Sequence, residues 1–422
     1  MARAALDVHD VGMREEILLP GLVAIEHSFE VPLDHDDPRG RRIPVFAREL
    51  ADPEGRDRPF LVFFQGGPGG EAPRPTVGPR SPGWLTRALQ DFRVLMLDQR
   101  GTGRSTPVGN LEGLDPKQQA QYLAHFRADS IVRDAEFIRR ELGADRWSVL
   151  GQSFGGMCVT TYLSLAPEGL REALITGGLP PLRANIDDVY ARTYGRVIEK
   201  QRKYAQRYPS DFDRLTKLRE TLERKEIRFA AGDRLTWRRF RQAGLMLGMS
   251  NGAERLHYLL ELPADSPAFL GDIEDPFGFI RNPIYALLHE ACWADGGKTR
   301  WSAQRMLPAE VDSENLLTGE HVYPWMFEDY AALAPLREAA DLLAEHEWPH
   351  LYDPETLARN EVPCAAVIYA EDMYVERSFS ELTASQIRGL RPWITNEYEH
   401  NGLRIDGARV VGRLLDLVRG RI

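Results

Sequence analysis

The segment that most constrains the fold of this chain is residues 151–155, which read GQSFG. The pattern G-x-S-x-G carries chemical meaning when a buried strand leads into it and a helix follows it. Here the apolar residues 147–150 lead into the motif, and a helix-like run begins after Ser153. Such a turn holds the serine hydroxyl out at the edge of a sheet, beside the free N–H groups of the helix start. The sequence therefore predicts that Ser153 is a nucleophile.

Short apolar runs alternate with helical patterns on both sides of this motif. Apolar runs that are closed by turn residues indicate buried strands. We expect strands at residues 25–31, 42–50, 60–64, 92–97, 147–150, 173–176, 364–369 and 393–398, and helices at 129–142 and 407–419. This alternation is typical of an α/β protein whose mostly parallel sheet is covered by helices on both faces.

The pattern changes after two consecutive prolines at positions 180 and 181. Residues 187–350 are rich in Arg, Glu, Leu and Tyr at helical spacing, as in the segments 189–208 and 211–225. We interpret this part as a helical cap inserted into the core. The predicted domains are core at residues 1–182, cap at 183–355 and core again at 356–422. The cap would cover the carboxyl ends of the strands, where open α/β sheets bind ligands.

The charge balance argues against a nucleic-acid-binding surface. The 422 residues include 53 basic and 63 acidic side chains, a net charge of −10, whereas nucleic-acid binding needs a basic stripe. No run approaches the ~18 apolar residues that cross a membrane, so we expect no membrane partner. The histidines are scattered without ligand spacing, so neither a metal nor another cofactor is implied.

The N-terminal segment and the cysteines bear on the compartment. Residues 1–16 carry several charges and lack the apolar stretch of a signal peptide. The three cysteines, Cys158, Cys292 and Cys364, form no CxxC pair and are odd in number. Such usage is typical of buried thiols in a reducing environment. We therefore expect a cytoplasmic protein.

A serine nucleophile requires a base, and the base requires an orienting carboxylate. When the serine follows G-x-S-x-G, the acid comes later in the chain and the histidine later still. Asp372 follows the strand predicted at 364–369, and His400 follows the next predicted strand. The two residues are 28 positions apart, which leaves room for one helix and one strand, and no other histidine follows residue 350. The predicted catalytic residues are Ser153, Asp372 and His400, with Glu371 as the competing acid.

The glycine-rich run at residues 66–70, GGPGG, follows a predicted strand. Glycines there let the backbone approach a substrate carbonyl closely. Together with Ser153 downstream, the run is interpreted as an oxyanion loop. The expected N–H donors of the oxyanion hole are Gly67 and Phe154.

Three motifs taken together resemble those of the proline iminopeptidases, also called prolyl aminopeptidases. They are residues 66–70 (GGPGG), 98–105 (DQRGTGRS) and 151–156 (GQSFGG), and the resemblance runs from about residue 60 to residue 407. It implies an α/β-hydrolase fold with a helical cap. It also implies a serine peptidase whose substrates are peptides with a free N-terminal proline.

The resemblance further implies that glutamates of the cap bind the free amino end of the peptide substrate. Glu290, in the segment YALLHE, looks like one of them, and Glu320, in TGEH, is a second match. Two carboxylates can hold both N–H groups of a buried secondary ammonium. Nearby aromatic residues could line a proline pocket or belong to the core of the cap: Trp293, Tyr323, Trp325 and Phe327.

The chain departs from the family pattern at Gln65, where the family usually has His. Glutamine forms hydrogen bonds but does not ionise, so the departure bears on loop position and specificity. Two other functions stay open. One is an esterase or amidase of small acyl groups with the same triad. Only the cap glutamates would distinguish an aminopeptidase from such an enzyme. The other is a non-catalytic binding protein on a hydrolase scaffold, against which the intact triad argues.

Overall fold

A central sheet of nine strands runs through the computed structural model, which describes residues 15–76, 82–277 and 279–422. The strands are β1 (Glu15–Leu19), β2 (Leu22–Pro32), β3 (Arg42–Ala51), β4 (Phe60–Phe64), β5 (Arg93–Leu97), β6 (Trp147–Gln152), β7 (Leu170–Thr176), β8 (Cys364–Tyr369) and β9 (Leu390–Thr395). Their order is β1-β2-β3-β5-β4-β6-β7-β8-β9. The pairs β1/β2, β2/β3 and β3/β5 are antiparallel, and the pairs from β5 to β9 are parallel. The fold is therefore the predicted α/β class.

Helices lie in the connections from β4 onward and after β9. They are α1 (Gly83–Ala88), α2 (Pro116–Leu123), α3 (Ala128–Glu141), α4 (Phe154–Leu165), α5 (Ile186–Arg207), α6 (Asp211–Arg224), α7 (Trp237–Phe240), α8 (Gly252–Leu259), α9 (Pro267–Phe277), α10 (Ile284–Trp293), α11 (Ser302–Arg305), α12 (Ala309–Ser313), α13 (Met326–Asp329), α14 (Arg337–Ala344), α15 (Pro354–Ala358), α16 (Arg377–Gln386), α17 (Gly402–Ile405) and α18 (Gly407–Val418). The connection from β7 to β8 holds α5 to α15, in the region where the sequence predicts a cap. The exact domain limits at residues 182 and 355 stay a prediction.

The central strands are apolar throughout because both faces of the sheet are covered. Every residue of β4 is buried, and successive side chains of a strand point to opposite faces. Leu61 and Phe63 join the hydrophobic cluster that includes residues of α1 and α18. Val62 and Phe64 join the cluster that includes residues of α3 and α4. A strand between two layers of helices has no face left for polar residues.

The edges of the sheet account for two differences from the sequence predictions. The limits predicted for the last strand, 393–398, are wrong, because β9 spans Leu390–Thr395 and includes Pro392. An edge strand tolerates proline, since one side of its backbone needs no hydrogen-bond partner. At the opposite edge, β1 reads EEILL and pairs with β2 alone. Its mixed composition does not predict a buried strand.

Across the described residues, no helix combines the length with the apolar composition that a bilayer crossing demands. The segment before residue 15, where no signal peptide is expected, lies outside the described residues.

Candidate active site

Ser153 lies in the tight turn between β6 and α4, with φ of 56° and ψ of −123°. Residues other than glycine rarely adopt such a conformation, and it persists only where the surroundings enforce it. Close backbone packing does so here. A Cβ on Gly155 would overlap the carbonyl oxygen of Phe64, and a Cβ on Gly151 would overlap that of Gly155. The glycines of the motif are thus a steric requirement of the turn that presents the serine.

The side chain of His400 lies between the two other predicted triad residues. The hydroxyl oxygen of Ser153 is 2.8 Å from Nε2 of His400, and Oδ2 of Asp372 is 2.6 Å from Nδ1. The second carboxylate oxygen of Asp372 accepts the backbone N–H groups of Tyr374 at 2.8 Å and Val375 at 3.1 Å. The carboxylate is therefore fixed in position. This is the geometry of a nucleophile, a base and an orienting acid.

The surroundings of His400 shift its pKa in opposite directions. Burial disfavours the imidazolium and lowers the pKa, whereas the charge and hydrogen bond of Asp372, with a smaller contribution from Glu320, raise it. The net direction is upward from the usual histidine value. The ring of Tyr374 packs edge-on against the imidazole, with the centroids 4.8 Å apart.

Glu371, the competing acid, takes part in a different set of contacts. Its carboxylate accepts hydrogen bonds from the ammonium groups of Lys203 at 2.7 Å and Lys200 at 3.2 Å, both on α5. These lysines lower the pKa of Glu371. Of the two adjacent acids, Asp372 is the one that contacts His400.

Gly67 and Phe154 border one small niche beside Ser153. Gly67 has φ of 135°, which a residue with a side chain would adopt only under strain. Phe154 is the first residue of α4, where a backbone N–H has no partner within the helix. The two expected oxyanion donors therefore belong to the same niche as the serine.

A network of hydrogen bonds centred on the buried Asp98 supports the glycine-rich loop. The carboxylate of Asp98 accepts two hydrogen bonds from the Arg74 guanidinium, at 3.0 and 2.9 Å. It also accepts the backbone N–H groups of Ala72 at 3.2 Å and Arg104 at 2.9 Å. This acid thus ties the chain that follows the loop to the segment 98–105. The sequence motif DQRGTGRS marks the segment without revealing this role.

Ser153 opens into a cavity of about 690 Å³. Its lining residues come from the core and from the connection between β7 and β8. The core contributes, among others, Gln65, Gly67, Gln152, Ser153, Tyr374, His400 and Arg404, and the connection contributes Gln242, Glu274, Phe279, Tyr285, Glu320 and His321. The helical connection therefore closes the space above the serine.

The described part of the chain holds no group of three His, Cys, Asp or Glu side chains arranged to bind a metal ion.

Glu320 lines this cavity and is held from two sides. The hydroxyl of Tyr285 donates to its Oε1 at 2.7 Å, and Nε2 of His289 lies 3.8 Å from its Oε2. Burial would raise the pKa of Glu320, but the neighbouring His289, the charge of His400 and the hydrogen bond from Tyr285 lower it overall. An ionised carboxylate thus faces the same space as the serine hydroxyl. It is suited to receive a cation.

Glu290 is not among the described residues that line the cavity. Its Oε1 accepts the backbone N–H of Ala303 at 2.8 Å, and its Oε2 is buried without a hydrogen-bond partner. Burial raises the pKa of Glu290 to about 7. On α10, Tyr285 and His289 are four residues apart and share a face, whereas Glu290 is one residue further round. The sequence interpretation missed His289. The four-residue spacing between Tyr285 and His289 is the signal that could have identified it.

The aromatic residues near these glutamates are mostly packed in the core. Tyr323 and Phe327 are buried, and the hydroxyl of Tyr323 contacts that of Tyr194 at 2.8 Å. Trp325 stacks on Tyr323. Only Trp293 of the four borders the niche beside Ser153.

The fold and this geometry together define a hydrolase with a serine, histidine and aspartate on an α/β core. The model of the family described as alpha/beta hydrolase fold matches residues 59–288. That range includes the glycine-rich loop and the serine turn.

Comparison with curated relatives identifies the family to which the chain belongs within this class of hydrolases. The chain is 48% identical over 419 residues to a proline iminopeptidase of Aeromonas sobria, a match that covers 95% of this chain and 98% of the relative. It is 34% identical over 428 residues to a proline iminopeptidase of Aspergillus aculeatus, with 94% of each chain covered. The chain belongs to the proline iminopeptidase family within the alpha/beta hydrolases.

Proposed function

We propose that this protein is a serine aminopeptidase that releases N-terminal proline from peptides through an acyl-enzyme on Ser153. The observation that carries the proposal is the ionised Glu320 in the same cavity as the Ser153–His400 pair. A nucleophile alone would serve any ester or amide. A carboxylate beside it favours substrates that carry a positive charge next to the bond to be cleaved.

The chemistry follows from the order of the hydrogen bonds. Nε2 of His400 takes the proton of Ser153 as its oxygen attacks the prolyl carbonyl. The N–H groups of Gly67 and Phe154 are the proposed donors to the oxyanion that forms. His400 then gives the proton to the leaving amine, and a water molecule repeats the sequence to release proline. Asp372 holds the imidazole and stabilises its cationic form.

The imino group of a free N-terminal proline is a secondary ammonium with two N–H donors. Glu320 is the proposed acceptor for it. A buried cation needs a charged partner, and leaving either charge unpaired costs about 3–5 kcal/mol. Glu290 remains a predicted substrate-binding residue. The contact of its carboxylate with the backbone N–H of Ala303 instead supports a structural role outside the lining of the cavity.

The niche beside Ser153 supports the preference for proline. Besides Gly67 and Phe154 it is bordered by the apolar side chains of Pro68, Met157, Cys292, Trp293 and Val375, and by the polar side chains of His289 and Glu320. These apolar side chains beside a carboxylate suit the apolar ring and the cationic imino group of an N-terminal proline that lies in the larger cavity, which Ser153 and Glu320 also line. The wider cavity leaves room for the rest of the peptide.

We also propose that the enzyme acts in the cytoplasm. All three cysteines are free and buried, which is typical of proteins of reducing compartments.

The proposal is tested with a panel of substrates on the unmodified enzyme. The panel contains prolyl and alanyl arylamides, N-acetylprolyl arylamide and a neutral activated ester. Acetylation removes the charge of the imino group, so kcat/KM should fall by about 100-fold or more, as an unpaired buried carboxylate implies. The prolyl compound should also exceed the alanyl one. Equal rates on the free and acetylated compounds would instead support the esterase or amidase alternative.

A further inference from the structure

Lys200, on α5, contacts the two loops that carry the acid and the base of the triad. The acid loop, residues 370–376, follows β8, and the base loop, residues 396–401, follows β9. The ammonium of Lys200 donates a hydrogen bond to Oε1 of Glu399 and lies 3.2 Å from Oε2 of Glu371. These glutamates directly precede the triad residues in the chain. One side chain of the helical connection therefore bridges the two loops next to the catalytic pair.

We propose that Lys200 is a positioning residue for the triad, which keeps the acid loop and the base loop at the spacing that the catalytic hydrogen bond needs. Asp372 and His400 follow different strands and meet at 2.6 Å. A hydrogen bond weakens steeply when its distance or angle departs from the optimum. The inference rests on the triad of the proposed function and is independent of the substrate proposed for it.

The face of α5 that carries Lys200 packs against the acid loop. Arg196, Lys200 and Lys203 are spaced by four and three residues, which places them on one side of the helix. The guanidinium of Arg196 donates to Oε1 of Glu376 at 2.7 Å, and the ammonium of Lys203 donates to Oε1 of Glu371 at 2.7 Å. Of these three basic side chains, Lys200 is the one that also contacts the base loop.

The bridge is largely shielded from water. The side chain of Lys200 is 11% exposed, whereas that of Lys203 is 47% exposed. Oε2 of Glu399 is buried and has no hydrogen-bond partner among the described residues, so the contact with Lys200 is what holds this carboxylate. Burial raises the pKa of Glu399, and the hydrogen bond from Lys200 opposes that shift. A shielded contact of this kind restrains its partners more than an exposed ion pair does.

The helical connection also holds the base loop at two further points. The backbone N–H of His400 donates to the carbonyl oxygen of Gly248 at 3.1 Å. Oδ1 of Asn401 accepts the hydroxyl of Ser250 at 2.8 Å and its backbone N–H at 3.1 Å. Three consecutive residues of the base loop thus contact the helical connection. Among these contacts, the one with Lys200 is shared with the acid loop, so it couples the positions of the two loops.

The experiment compares Lys200→Met with Lys203→Met as a matched control. Both variants remove one positive charge from the same face of α5 and break a contact with Glu371, but only Lys200→Met also breaks the contact with the base loop. For each variant, kcat and KM are measured with prolyl arylamide and with a neutral ester, at a temperature well below its thermal unfolding.

Two further variants separate the bridge from its charge. Lys200→Arg keeps a cation with N–H donors. The double variant Lys200→Met with Glu399→Met removes both partners, so no buried carboxylate is left unpaired and the fold is spared that cost. It decides the outcome even if Lys200→Met alone fails to fold.

Lys200→Met should lower kcat for both substrates by about 10- to 100-fold, the order that a displacement of ~1 Å in a catalytic group costs, and leave KM within a few-fold. The double variant should lose as much kcat, because the bridge is missing there too. Lys200→Arg should recover most of the loss, and Lys203→Met should stay within a few-fold of the unmodified enzyme.

Several results would overturn the proposal. They are a double variant with the kcat of the unmodified enzyme, a loss confined to KM, an equal loss of kcat in Lys203→Met, and a Lys200→Arg variant as slow as Lys200→Met. Failure of the proposed function looks different. A wrong triad would leave activity in Ser153→Ala, and a wrong substrate would make free and acetylated prolyl arylamides react equally in the unmodified enzyme.

Discussion

The hydroxyl of Ser153 and Nε2 of His400 are 2.8 Å apart although the two residues are 247 positions apart in the chain. The helical connection between β7 and β8 accounts for most of that separation. The two residues meet because parallel strands bring their carboxyl ends to one edge of the sheet. The contact between Ser153 and His400 therefore forms only when the sheet is folded.

Replacing the nucleophile should remove nearly all turnover. Ser153→Ala is expected to lower kcat by ~10⁵–10⁶-fold, because no acyl-enzyme can form, while the thermal unfolding temperature stays close to that of the unmodified protein. A serine-directed phosphonate should label only the unmodified enzyme. If Ser153→Ala kept a tenth of the activity, another residue would have to be the nucleophile.

The adjacent acids Asp372 and Glu371 form a matched pair of variants. Asp372→Asn should lower kcat by ~10⁴-fold, because the imidazole loses its orienting anion and the cation that forms on it is no longer stabilised. Glu371→Gln removes the same charge one residue away but breaks only contacts to lysines of α5. Its effect should be within a few-fold. The opposite order of effects would assign the acid to Glu371.

The raised pKa of His400 predicts the direction of the pH profile. The base must be neutral, so kcat/KM for a neutral ester should rise with pH through an apparent pKa above the ordinary ~6.5 of histidine. The contribution of His400 to the free energy of unfolding depends on pH in the opposite direction to kcat/KM. The contact with Asp372 stabilises the fold fully below the unfolded pKa, and this contribution is lost as pH rises through the native pKa. An activity profile that is flat from pH 5 to 8 would leave no role for His400.

Two glycines test the steric origin of the serine turn. Gly155→Ala places a methyl group against the backbone of Phe64, so the free energy of unfolding should fall by about 3 kcal/mol or more. Gly195, in α5, has open space at the same position of its backbone. Gly195→Ala should stabilise the protein by about 0.5–1 kcal/mol, because alanine favours helix. Urea unfolding of the two variants measures both effects, and equal effects would contradict the packing account.

Much of the core could be predicted because its signals are local. The apolar run at residues 60–64 coincides with β4, since a strand buried on both faces has no polar position. The serine motif, the late Asp372 and the last histidine follow a fixed chain order. The structure brings these three side chains into contact.

The lining of the cavity could not be predicted in the same way. It is assembled by residues that are distant in sequence, such as Tyr285 and Glu320, which meet at 2.7 Å. The family resemblance predicts that Glu290 binds the substrate. In the structure, its position on α10 places its carboxylate against the backbone N–H of Ala303 instead. The residues of that helix that approach Glu320 are Tyr285 and His289. Only the packing of α10 against its neighbours decides which side chain reaches the substrate space.

The most direct test of the proposed aminopeptidase is the pair of variants Glu320→Gln and Glu274→Gln. Both glutamates line the cavity, and both variants remove one negative charge from it. Glu320→Gln should lower kcat/KM for prolyl arylamide by about 100-fold or more, the cost of a buried cation without its partner, and leave a neutral ester within about twofold. Glu274→Gln should change neither by more than a few-fold. If Glu320→Gln lowered both substrates equally, or left prolyl arylamide unaffected, recognition of a charged N-terminal proline by this carboxylate would be contradicted.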